Sequence, residues 1–183
     1  MTLGEGKAKV YKLIDEYSSG GAVTKDADIE HKMADFFDMA QKDVAQVQPI
    51  VKLRTLEPEE GTAVYAVPED FAGLHRIWIN GRESRGAVRW KGGNLLIGGS
   101  PESVELEYFA FPETISGDTP DSWKFQVRED AAQAMCYYVA AQQLFVDLVT
   151  DYDALYQEYL RRLGNLNGQV WGAQDAVCNT LWR

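Results

Sequence analysis

The chain has 183 residues, 45% of them hydrophobic and 25% charged, as expected of one globular domain of ordinary size. Its 18 Lys and Arg stand against 28 Asp and Glu, and the formal net charge of −10 argues against tight binding to a phosphate backbone, though not against standing beside DNA. There is no run of about 18 apolar residues, and the charged start MTLGEGKAKVYKLIDEY lacks the apolar segment of a secretory signal, so a protein made and used in a cytoplasm is expected.

Thr2 and Glu5 have capping-box spacing, which predicts a helix over about 2–17 with Leu3, Val10, Leu13, Ile14 and Tyr17 on one face. The run SSGG at Ser18–Gly21 ends it. A second helix over about 28–48 can be capped by Thr24, Asp26 or Asp28. Ile29, Met33, Phe37, Ala40 and Val44 form its apolar stripe with Phe36 and Val47, and Pro49 closes it. At least one of Phe36 and Phe37 should be buried. The Gly-rich joint implies that the two helices pack as an antiparallel hairpin.

From about 52 to 111 the composition turns to Val, Ile, Tyr and Trp with turns between, which predicts a small antiparallel β insertion. Strands are expected near Leu53–Leu56, Thr62–Val67, Arg76–Asn80, Ala87–Trp90, Asn94–Ile97 and Val104–Phe111. KGGN reads as a tight hairpin turn. Val104, Leu106 and Tyr108 alternate with Glu105 and Glu107, so that strand has one inward and one wet face. The stretch YFAFPETISGDTPDSWKF then reads as a polar joint leading from the β region back to helix. With Asp121 or Ser122 as cap, a third helix is expected over about 122–149, rich in alanines that allow close packing. A fourth, over about 151–163, is stopped by Gly164, and 165–183 is left as a C-terminal tail. The fold class is therefore α+β, mainly α: a four-helix bundle with a small β insertion between helices two and three, in one domain over 1–164.

No catalytic, metal or cofactor site emerges from these residues. WKGGNLLIGGS has strands on both sides of its Gly pairs, so it lacks the strand–loop–helix setting of a phosphate loop. Glu69 and Asp70 are adjacent in a turn and point apart, which suits capping or solvent better than paired acid–base work. Asp147, Asp151 and Asp153 miss the calcium-loop spacing. His31, His75, Cys136 and Cys178 are scattered, and Cys136 reads as a buried core thiol. Trp78 and Trp90 lie on expected strands, where core packing is the default.

Three pieces of the chain resemble the head–tail adaptor (connector, or head-completion) proteins of tailed bacteriophages. They are the second helix DIEHKMADFFDMAQKDVAQV, the element YAVPEDFAGLHRIWING, and the strand, aromatic–Pro segment, Ala-rich helix and Tyr-bearing helix from VELEYFAFPETI to YDALYQEYLRRL. The match covers most of 1–164. It implies a structural virion protein at the neck, without catalytic role or cofactor. Its copies would form a ring of roughly twelve below the portal protein, extending the DNA channel and giving the next neck or tail protein a platform. Twelve copies at −10 each carry about −120, a field that lets DNA pass without specific binding. Val170, Trp171, Val177, Leu181 and Trp182 in the tail are candidate contacts to portal or to a neighbouring subunit, with folding back on the chain's own bundle as the alternative. The rival functions are another neck or tail-completion protein and a small hydrolase using Glu69, Asp70 or His75.

Overall fold

In a computed structural model, residues 1–14, 27–59, 63–84, 88–146 and 152–170 are described. They form two compact units. One is built from Met1–Gln48 together with the chain from Glu113 onward, and the other is Pro49–Pro112.

The helical unit begins where the capping box requires. Thr2 Oγ1 accepts the Glu5 N–H and Glu5 accepts the Thr2 N–H, and α1 follows over Leu3–Leu13. The next helix, α2, spans Ala27–Val47. Its stripe is inward: Met33, Phe37, Ala40 and Val44 are fully buried, with Phe36 and Val47 packed at the margin. The third helix, α3, runs over Glu129–Val146 and is packed by α1, α2 and α4. It is buried on nearly every side, and its alanines Ala131, Ala132, Ala134 and Ala140 are what let three neighbours approach.

Three helix boundaries differ from the reading of the sequence, the first being α1, which closes at Leu13 with Ile14 as its C-cap and not near 17. Residues 122–128 are not helical, because Trp123, Phe125 and Val127 alternate with period two. Leu3 N–H donates to Trp123 O and Phe125 N–H to Met1 O, so this stretch pairs with the start of the chain. The last helix, α4, spans Tyr152–Val170 and runs through Gly164. Leu155, Tyr159, Leu163 and Leu166 continue one stripe, and Leu166 is buried. Burying that leucine outweighs the cost of about 1 kcal/mol for an exposed helical glycine.

The β unit is the larger correction. It is not a small insertion on a four-helix bundle. Among the described residues it holds seven strands in two antiparallel sheets around a core of its own. The four-stranded sheet has the order β1 (Ile50–Leu56), β7 (Val104–Ala110), β3 (Phe71–Ile79), β4 (Arg82–Glu83). The three-stranded sheet has the order β2 (Val64–Tyr65), β6 (Asn94–Ile97), β5 (Val88–Lys91). Leu56, Ile77, Leu106 and Tyr108 from the first sheet and Tyr65, Leu95 and Ile97 from the second are buried together. Asn80–Gly81, both at positive φ, form the two-residue turn between β3 and β4, a hairpin absent from the expected strands. Gly92–Gly93 make the expected turn between β5 and β6.

Candidate interaction surfaces

The four-stranded sheet has one core face and one outer face, set by the period-two alternation of β7. Val104, Leu106, Tyr108 and Ala110 are buried, so Glu105, Glu107 and Phe109 point the other way. Register places Val51 beside Phe109 and Leu53 beside Glu107 on that outer face. Val51 is 47% exposed and Leu53 64%, far above what a core-facing aliphatic would show. The ring of Phe109 lies over Gly73, its partner on β3, and against the His75 imidazole at a centroid distance of 4.9 Å. His75 Nδ1–H donates to Glu107 Oε2 at 2.8 Å, and Arg76 Nε lies 3.8 Å from the same oxygen. This face is therefore aliphatic at β1, aromatic in its middle and acidic toward Glu105.

Asp70 works on the core side of the same sheet. Lys52 Nζ donates to its Oδ2 at 2.7 Å and the Tyr108 hydroxyl to its Oδ1 at 3.0 Å. Burial pushes the Asp70 carboxyl up, but those two hydrogen bonds and the Lys52 charge outweigh it and hold the group below the usual carboxylate range. Burial, and then Asp70, push the Tyr108 hydroxyl up. The three residues of the hydrolase alternative are thus not brought together. Glu69 is exposed, Asp70 serves Lys52 and Tyr108, and His75 serves Glu107 through the opposite face.

Trp90 is not core. It sits on β5, an outer strand of its sheet, 48% exposed, with its ring 5.3 Å from Phe71. Trp78 is half-buried. Reading both tryptophans as interior residues overlooked two things: β5 is an edge strand, which buries only part of the Trp90 ring, and Trp78 shares the outer face of its sheet with Glu105.

In the helical unit, the cleft beside the start of α3 and the end of α4 is lined by paired charges. Arg128 meets Asp130 at 2.9 Å, and Arg161 and Arg162 both meet Glu158 at 2.7 Å. The hydrogen bond from Arg161 is the main cause that holds Glu158 down at about 2. Arg162 also lies over the Tyr137 ring at 4.5 Å. Cys136 is buried, and burial pushes its thiol up to about 12, which leaves it a packing residue without nucleophilic character. Among the described residues no group of three or more His, Cys, Asp or Glu is placed to hold a metal ion.

Charge is divided unevenly between the units. Residues 49–112 carry seven basic and nine acidic residues, a net −2, which leaves eleven against nineteen, a net −8, for the rest of the chain. The acidity of this protein belongs to its helical part.

A model of the family described as SU10 adaptor protein matches residues 1–178. The chain belongs to this family of phage head–tail adaptors. No curated protein matches it. As an SU10 adaptor it is a structural component of a virion and associates with other virion proteins. Among its described residues no helix is long and apolar enough to cross a membrane.

Of the tail residues singled out in the sequence, Val170 is the last residue of α4, while Trp171, Val177, Leu181 and Trp182 lie outside the described residues. The alternation of β7 gives the outer sheet face of this adaptor from the sequence, but the apolar part of that face went unnoticed. Its signal was there: the outward positions of β7 change from Glu105 and Glu107 to Phe109, and Phe111, just past the strand, is 61% exposed. A solvated sheet face does not ordinarily place phenylalanine there.

Proposed function

We propose that this adaptor assembles as a ring below the portal of a tailed-phage head, extends the DNA channel, and presents a platform for the next neck or tail protein. The observation that carries this reading is the division of charge. A net −8 on the helical unit suits a surface past which DNA slides, since like charge discourages adhesion. A nearly neutral β unit with exposed Val51, Leu53 and Trp90 suits contact between proteins. Membership of the adaptor family supports the same reading.

The tail from Trp171 onward is assigned to portal or a neighbouring subunit, with Val170, Trp171, Val177, Leu181 and Trp182 as the apolar contacts. Tryptophan suits such an anchor because one side chain buries a large rigid area. The experiment is native mass measurement of the protein alone and with portal-bearing heads, using the full chain and a chain ending at Val170. A multi-copy ring on portal for the full chain, and a folded shortened chain that fails to join heads, is the expected pair of results. One copy per head overturns the ring. A shortened chain that completes heads normally overturns the role of the tail.

A further inference from the structure

We propose that Asn80 latches the loop between the two sheets of the β unit, and that its carboxamide is a site of covalent self-modification which the closed latch suppresses. The latch is independent of whether the copies form a ring.

The chain holds two Asn–Gly pairs, Asn80–Gly81 and Asn167–Gly168. In such a pair the backbone nitrogen attacks the preceding side chain most readily, because glycine puts no Cβ beside the forming ring. Structure gives the two pairs different settings. Asn167–Gly168 lies within α4. Asn80–Gly81 is the exposed turn between β3 and β4, at φ of 53° and 73°. Three hydrogen bonds tie this turn to Glu102 and Ser103. Asn80 N–H donates to Ser103 O at 2.9 Å, and Asn80 Oδ1 accepts Glu102 N–H at 2.8 Å and Ser103 N–H at 3.2 Å. Glu102 and Ser103 end the stretch 98–103, which carries the chain from β6 in one sheet to β7 in the other. Its first three residues, Gly98, Gly99 and Ser100, are exposed and bring no apolar side chain to the core, so the loop depends on this tie.

In the latched turn two donors fix the carboxamide oxygen and the hairpin fixes the backbone. Cγ then cannot swing to the Gly81 nitrogen. When the turn opens, that nitrogen bonds to Asn80 Cγ, the Cγ–Nδ2 bond breaks, and the Gly81 amide proton leaves with the nitrogen as ammonia. Water opens the resulting succinimide at either carbonyl, giving aspartate or isoaspartate. Aspartate can accept the same two N–H groups and close the latch again. Isoaspartate adds an atom to the main chain and spoils the pairing of Trp78 with Glu83 and of Ile79 with Arg82. Each opening of the turn thus carries a chance of permanent change, which accumulates in a particle whose parts are not replaced.

The test holds the full chain at mildly alkaline pH, folded or in concentrated urea, and follows the tryptic peptide 77–82 by chromatography and mass spectrometry. Conversion at Asn80 should be about tenfold slower in the folded chain than in urea. Glu102→Pro removes one donor and should speed conversion about threefold in the folded chain, with the rate in urea unchanged. Circular dichroism shows whether that variant is folded. Asn80→Ala, read separately with a glutamate-specific protease, should be cut at Glu102 faster than the wild type, whereas Asn80→Asp should not. Equal conversion in the folded chain and in urea, a folded Glu102→Pro chain that converts no faster, or an Asn80→Ala chain cut no faster overturns the latch. No conversion at Asn80 in urea overturns the modification.

Discussion

The carboxamide of Gln41, fully buried on α2, accepts the backbone N–H of Gln126 at 3.1 Å. Its Nε2–H donates at 3.2 Å to the carbonyl of Glu113, whose own N–H donates to Gln126 Oε1 at 2.8 Å. The polar joint is therefore tied at both ends by one side chain. Asp38 adds the Ile115 N–H, Lys7 adds Asp121, and Gly117 lies directly against the His31 ring. The joint is a packed belt of the helical unit, with Ile115 and Phe125 in the core, and not a loose spacer.

Gln41→Ala should destabilise the protein by about 1–3 kcal/mol, because the Glu113 carbonyl and the Gln126 N–H both lose the partner that the buried amide supplies. Met39→Ala, at a half-exposed position of the same helix, is the control and should be near neutral. Chemical denaturation of the two variants decides this, and equal stabilities would remove the belt from the account of folding.

Phe37 meets Phe125 at a ring-centroid distance of 5.1 Å, and Gly6 of α1 leaves the room for both. Phe37→Ala should cost about 3–5 kcal/mol, and Phe36→Ala distinctly less, since Phe36 lies at the margin of the core. Thermal melts that rank the two the other way would contradict the packing.

Gln48, at the end of α2, is buried, and neither its Nε2 nor its Oε1 has a hydrogen-bond partner among the described residues. A buried unpaired amide opposes folding. Gln48→Met keeps the volume and removes the polar atoms, and should raise stability by about 1 kcal/mol, read as a higher Tm. A lower Tm would mean the amide is satisfied in the folded protein.

The β unit should weaken in acid through Asp70. Its folded-state pKa is held below the ordinary aspartate value, so its contribution is fully present above that ordinary value. The contribution is lost as pH falls through the lower folded value, where the carboxylate is protonated and its bond to Lys52 fails. Asp70→Asn should lose that increment at neutral pH, so its stability should change less than the wild type's between pH 7 and pH 3. The comparison is by denaturation midpoint, and parallel pH curves would free Asp70 of this role.

Sequence alone determined the periodic parts. The Thr2–Glu5 cap, the Met33–Phe37–Ala40–Val44 stripe, the Gly92–Gly93 turn and the β7 alternation are local patterns in which spacing dictates which side chains share a face. The family was legible in the order of these elements, and the matched span of residues 1–178 agrees. Tertiary structure decided the rest, because it depends on partners far apart in the chain. Trp123 and Phe125 became extended since the first three residues lay ready to pair with them, against a helical signal that begins in earnest only at Glu129. Gly164 stayed helical since Leu166 had a core to enter. The middle segment became a unit in its own right once β1, β7 and β3 came together with β6, closing a core that no single strand announces. Whether Trp90 was inside or outside was likewise a matter of its strand's place in the sheet, an edge, which no local pattern encodes.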